Sequence, residues 1–214
     1  METENREGIG RFYLTPKGSF PSVTTVLAAS QDHSFLDEWR ARIGEEEANR
    51  ISKESTDIGT HLHYLFECEL QGMAKPTPEN AEQETATRMF KVSLPKLRSY
   101  VKEVVSMETP VWSDQFRVAG RFDLLCVNKH GRLCLLDFKN SRKAKTVDQI
   151  QNYRQQLGFY TQMIKETLGR VVEDQTIFMV TREGFVQQFQ FKPEDTPRSE
   201  LVAIRKHFWE IHHV

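Results

Sequence analysis

The hydrophobic period of this 214-residue chain changes once, near Val105, and that change limits the folds open to it. Before it, apolar residues recur at helical spacing: Phe35, Leu36, Trp39 and Ile43, then Ile51, Ile58, Leu62, Leu65 and Phe66. After it come short strand-like runs at 111–112, 116–119, 122–127 and 133–138, with Asn128-Lys129-His130-Gly131 as a turn between the last two. Pro21-Ser22 sets a capped helix start after a short strand or hairpin over 10–21. Gly72 to Asn80 reads as a loop, and Ala81 to Val105 as a long helix or two, with Pro95 as a kink or break. A helix over about 148–168 ends at Gly169, strands over 176–181 and 186–191 flank Glu183-Gly184, and a last helix runs from Pro193 or Glu194 to the C-terminus. The expectation is one α/β domain over 1–214, with a mainly helical part (1–105) and an α/β core (106–214).

Charge follows the same division. Residues 1–110 carry 13 basic and 18 acidic groups, a balance of −5, while 111–214 carry 16 and 12, a balance of +4. The net charge of −1 excludes a polybasic coat for nucleic acid but leaves room for a local basic groove. Cys68, Cys126 and Cys134 lack C-x-x-C spacing, so zinc-ribbon, thioredoxin and iron–sulfur readings lack ligands. Reduced cysteines, no signal or transit segment and no apolar run of membrane-spanning length give the expectation of a soluble cytoplasmic protein without a membrane partner. No heptad or exposed apolar stripe calls for a partner copy, so a monomer is expected.

The strands carry the chemistry. Asp123 lies in one arm of the hairpin, and Asp137 and Lys139 in the other, two residues apart and so on one face. Leu136 and Phe138 point to the opposite face, towards packing. A charge pair on an otherwise apolar strand is costly unless hydrogen-bonded or metal-bound. Two carboxylates and an ammonium fit a Mg²⁺ site for phosphoryl chemistry; a structural salt bridge on a half-exposed hairpin fits the trio equally. On the helices, Thr60, His63 and Glu67 share one face, and Gln156 and Tyr160 stand one turn apart.

Taken in order, Gly59-Thr60-x-x-His63-x-x-x-Glu67, Gly120-Arg121-Phe122-Asp123, Leu136-Asp137-Phe138-Lys139 and Gln156-x-x-x-Tyr160 resemble the RecB-type branch of the PD-(D/E)XK nuclease superfamily. Within it they most resemble the mitochondrial genome maintenance exonuclease group and its bacteriophage-encoded relatives, as does the Pro21-Ser22-Val23-Thr24-Thr25-Val26-Leu27 segment. The resemblance runs from about residue 12 to 165. It implies a restriction-endonuclease-like core, a mixed β-sheet flanked by helices, with a helical N-terminal subdomain. Asp123 and Asp137 match the metal-binding carboxylates, the Phe138 carbonyl a further ligand, and His63 the helical histidine that contacts a metal. Lys139 matches the lysine that orients or activates the attacking water. Gln156 and Tyr160 match the motif that lines the site and meets the DNA backbone, and Glu67 an acidic position with a supporting role.

No proline precedes Asp123, the second acid is Asp rather than Glu, and Asn140 stands where Thr is more usual. Three scattered cysteines exclude the four-cysteine iron–sulfur cluster of some relatives. The implied cofactor is Mg²⁺, with Mn²⁺ as substitute because a histidine joins the carboxylates. Lys139, Arg142, Lys143 and Lys145 form a basic run that is either a solvated loop or a grip on backbone phosphates, with Arg121 and Arg154 as extensions. Thr60, Arg121, Ser141, Arg142, Lys143, Lys145, Gln156 and Tyr160 are the expected nucleic-acid contacts. Tyr64, Phe122, Tyr153 and Phe159 are candidates for base stacking or for core, and Trp39 and Trp112 for core. The expected function is a metal-dependent DNA exonuclease acting at single-stranded ends or flaps in replication, recombination or repair. A structure-specific endonuclease and an inactive nucleic-acid-binding partner protein are the alternatives.

Overall fold

The computed structural model describes residues 1–32 and 34–212. The side chain of Phe35 and residues 213–214, where the last helix was expected to reach the C-terminus, lie outside the described residues. Three short strands, β1 (Thr3–Arg6), β2 (Gly10–Thr15) and β3 (Gly18–Pro21), form an antiparallel sheet, of which β1 is polar and left no apolar signal. Helix α1 (Val23–Ala29) follows, and the Ser22 side chain caps it by accepting the Thr25 N–H at 3.0 Å. Next come α2 (Ser34–Ile43), α3 (Glu45–Gln71) and α4 (Ala81–Tyr100). Asn80 caps α4, and α4 stays one helix through Pro95, so no break falls there. The expected helix ends five residues early, because Val101 already belongs to β4 (Val101–Ser113); β-branched Val101, Val104 and Val105 favour the extended chain.

The main sheet has the order β4, β5 (Val118–Asn128), β6 (Leu133–Ser141), β7 (Asp174–Thr181) and β8 (Val186–Phe191). Helix α5 (Gln151–Leu168) carries the chain back between β6 and β7 and makes that pair parallel, while the other pairs are antiparallel. This is the mixed, helix-flanked sheet expected. Helix α6 (Arg198–His212) begins four or five residues later than expected, after a single 3-10 turn at Pro193–Asp195.

Helices cover both faces of the sheet, which is why β6 reads as one apolar run rather than an alternation. Leu124, Cys126, Leu136, Phe138 and Phe178 pack against Ile58, Leu62 and Phe66 of α3 and Phe90 of α4. The rings of Phe66 and Phe138 stack at 4.3 Å, fixing α3 over the centre of β6. On the other face Leu125, Leu135, Ile177 and Met179 meet α1, α5 and α6 through Val26, Leu157 and Phe208. The N-terminal sheet attaches to the start of β5, with Tyr13 and Phe20 against Ala119. Trp39 and Trp112 are half-buried rather than fully in the core. Among the described residues, no helix is long and apolar enough to cross a membrane.

Candidate active site

The backbone pairing of β5 with β6 ends at Leu124–Leu136. One residue further, the Asp123 carboxylate replaces a backbone partner and accepts the Phe138 N–H at 2.7 Å. A side chain thus satisfies a buried strand donor, and the two strands part around it. Asp137 and Lys139 face away from Phe138, as their spacing required. Their ion pair brings Lys139 Nζ to 2.6 Å from the buried Asp137 Oδ2. Burial pushes the Asp137 carboxyl up to about 6, an effect Lys139 offsets only in part and Asp123 reinforces. Burial also works against the Lys139 charge, but Asp137 and Asp123 outweigh it and hold its pKa above the ordinary lysine range. Lys139 is therefore a fixed cation rather than a free base.

A residue absent from the sequence reading joins them. Met107 pairs with Leu124 and Thr109 with Phe122, which sets Glu108 across from Asp123. Glu108 has φ 45°, in the left-handed region, and the Thr109 hydroxyl donates to the Met107 carbonyl across the distortion. Burial, then the Asp123 charge, raises the Glu108 carboxyl to about 7. Neither the kink nor the cross-strand register leaves a mark in the local sequence, and residue 108 falls between the expected helix and the first expected strand.

Helix α3 supplies the next wall. A Cβ at Gly59 would lie 2.9 Å from Asn140 Oδ1, so glycine lets the helix cross β6 closely. Asn140, the departure from the usual Thr, donates to the Ser55 carbonyl at 3.0 Å and braces that crossing. Thr60, His63 and Glu67 line one cavity, as their spacing predicted, and His63 Nδ1 lies 3.6 Å from Asp123 Oδ2. Glu67 accepts from Gln71 and stands outside the acid cluster. On α5, Tyr160 and Gln156 are buried and line an adjoining cavity. A Cβ at Gly120 would lie 2.8 Å from the Tyr160 ring, which explains that glycine. Burial, then Asp123 and Asp137, drives the Tyr160 hydroxyl pKa upward, so it stays a proton donor.

The basic residues divide. Arg121 is exposed and approaches Glu108 at 3.9 Å. Lys145 is tied by its backbone to Gln187, and its ammonium shares the Tyr153 ring with Lys139, at 5.4 and 5.0 Å. Ser141 offers its carbonyl to the Arg182 N–H. Arg142 and Lys143 are exposed on the following loop and line none of the cavities at the acid cluster. Arg154, an expected extension of the run, is instead occupied by Glu200 of α6 and by the Asp195 carbonyl of the turn before it. Phe122 and Phe159 are core, whereas Tyr64 is exposed.

The residues fit a divalent cation. Ligand atoms of His63, Glu108 and Asp123 all lie within 4.8 Å of one another, the span of donors about 2.0–2.6 Å from a shared centre. The repulsion of Glu108 and of Asp137 by Asp123 is what a cation would relieve.

No curated protein sequence matches the chain. Among solved structures, the chain superposes on a candidate exonuclease from Eubacterium rectale with a TM-score of 0.53 at 11% identity, over 74% of this chain and 66% of that one. The protein SSO0001 aligns at a TM-score of 0.39 and 16% identity, over 74% of this chain and 75% of that one. The first likeness shows the fold. The sequence profile of the PD-(D/E)XK nuclease superfamily matches residues 30–211, from the end of α1 through α6. The chain belongs to the PD-(D/E)XK nuclease superfamily.

Proposed function

We propose that residues 1–214 act as one nuclease domain, a divalent-metal-dependent DNA exonuclease of the RecB-type branch that works on single-stranded ends or flaps. The observation that carries this is the convergence of Asp123, Asp137 and Lys139 with His63 and Glu108 where the β5–β6 pairing opens. His63, Glu108 and Asp123 would hold the cation, with Asp137 and the Phe138 carbonyl completing the set; Mg²⁺ is the expected ion and Mn²⁺ its substitute. A bound divalent ion supplies charge against the phosphoryl oxygens and an acidified water at neutral pH. Lys139, held charged by Asp137, orients the attacking water and balances charge on the phosphate. The protonated Tyr160 hydroxyl and Gln156 position the backbone from the α5 side, and Thr60 and Arg121 from the rims. Glu67 supports His63 along the shared helix face. The run Ser141, Arg142, Lys143 and Lys145 steers the strand from outside the cavities. A cytoplasmic monomer, encoded by a cell or a bacteriophage, remains the expected setting.

The test is cleavage of a linear single strand, a linear duplex and a closed single-stranded circle, each with Mg²⁺, Mn²⁺ or EDTA. Metal-dependent loss of linear strands with intact circles is expected. Cutting of circles would indicate an endonuclease, and binding without cleavage in any metal a nucleic-acid-binding protein.

A further inference from the structure

We propose that a single strand crosses the metal site between Arg11 and Tyr64, with Arg11 holding a backbone phosphate on one side and Tyr64 stacking a base on the other. The proposal rests on the nuclease reading above and adds the path of the substrate to it. Three cavities adjoin in series. The central one, about 690 Å³, holds His63, Glu108 and Asp123. It shares Arg11 and Glu108 with a cavity of about 400 Å³ that runs over Gly120 to Tyr160. It shares Thr60 and Tyr64 with another of about 450 Å³ that reaches Asn80 at the start of α4. Together they make one groove with the acid cluster at its middle.

A polyanion entering this groove meets Glu67, Glu108, Asp123 and the buried Asp137, and at the Tyr64 end Glu82 and the Lys53-paired Asp57, so cations not already spent on protein carboxylates decide where its phosphates rest. Lys139 is paired with Asp137, and Arg121 leans on Glu108. Arg11 is exposed and lines both the central and the Tyr160-side cavities; among the described residues its guanidinium has no ion pair or hydrogen bond. Its backbone is fixed: the Arg11 N–H donates to Thr25 Oγ1 at 3.1 Å and its carbonyl accepts the Ser22 N–H at 2.8 Å. The cation is therefore presented from a braced strand and is free for a phosphate. Arg11 lies before residue 30, outside the part of the chain that matches the superfamily profile. At the other end, Tyr64 is 45% exposed on a helix whose other large aromatic, Phe66, is fully buried. An exposed ring between two cavities, one turn from Thr60, offers a stacking platform that any base can use.

The experiment measures binding of a fluorescent single-stranded 12-mer by anisotropy in EDTA across salt concentrations, together with steady-state cleavage in Mg²⁺. Arg11→Ala is expected to weaken binding and lower the slope of log affinity against log salt by about 0.7, with Arg11→Lys restoring the slope. Tyr64→Ala should weaken binding about 5- to 150-fold at an unchanged slope, and Tyr64→Phe should match the wild type. Both alanine variants should raise KM more than they lower kcat. If the wild type binds and cuts but Arg11→Ala keeps its slope and KM, or Tyr64→Ala keeps its affinity, the path is wrong. If the wild type fails to cut in any metal, the nuclease reading fails instead, and the binding slopes still judge the path on their own.

Discussion

Asp123 has two separable tasks, and two substitutions divide them. Its carboxylate is the acceptor for the Phe138 N–H at 2.7 Å, where Phe138 is 1% exposed, and it is also a member of the acid cluster. Asp123→Ala removes the acceptor and leaves a buried donor unpaired, which costs about 1–3 kcal/mol. For a chain of this length each kcal/mol lowers Tm by about 2–4 °C, so a fall of about 2–12 °C is expected. Asp123→Asn keeps an amide oxygen in place of the carboxylate. Both substitutions remove the charge that raises Asp137 and Glu108, so without metal the Asn variant should be at least as stable as the wild type, and the fall expected for Ala is measured against Asn. Nuclease activity should be lost in both. Thermal unfolding in EDTA at pH 8, followed by cleavage assays in Mg²⁺, gives the comparison. An Asn variant that melts as low as the Ala variant would refute the claim that the carboxylate replaces a strand partner.

Asp137 and Glu108 have folded-state pKa values raised to about 6 and 7, so both contribute stability below their ordinary range near pH 4 and lose it as pH rises through 6 to 7. Metal-free protein should therefore melt higher at pH 5 than at pH 8, and Mg²⁺ or Mn²⁺ should raise Tm at pH 8; equal Tm at both pH values without metal would oppose this. Lys139→Ala leaves Asp137 buried without its cation, so cleavage should vanish and the loss of stability should be greater at pH 8 than at pH 5, where Asp137 can take up a proton. A variant that keeps most of its cleavage rate removes Lys139 from the mechanism. Gly120→Ala drives a Cβ to 2.8 Å from the fixed Tyr160 ring and should cost about 1–3 kcal/mol, measured by chemical denaturation. Gly59→Ala, which meets only the end of the Asn140 side chain, should cost less.

Much of this site was legible because period-2 alternation on β6 and helical spacing on α3 and α5 are local rules. They placed Asp137 and Lys139 on one face, aligned Thr60, His63 and Glu67, and set Tyr160 one turn from Gln156. The Ser22 cap and the Gly169 stop were readable for the same reason. What escaped depended on the register between distant segments. Glu108 became a cluster member only through the pairing of β4 with β5 and a left-handed backbone that no neighbouring residue announces. Val101 to Val105 read as helix because the preceding period carries into it, whereas pairing with β5 makes it strand. Arg154 looked available as a cation, and only the packing of α5 against α6 showed it engaged. Arg11 and the polar strand β1 belong to a sheet whose contacts, not its composition, bring it to the groove.

The most direct test of the account is anomalous diffraction from crystals soaked in Mn²⁺, recorded for the wild type and for Asp123→Asn. The expected result is an anomalous peak among His63, Glu108 and Asp123, beside Asp137, that is absent from the variant. A peak elsewhere, or one that survives the substitution, would contradict the assignment of this cluster as the metal centre.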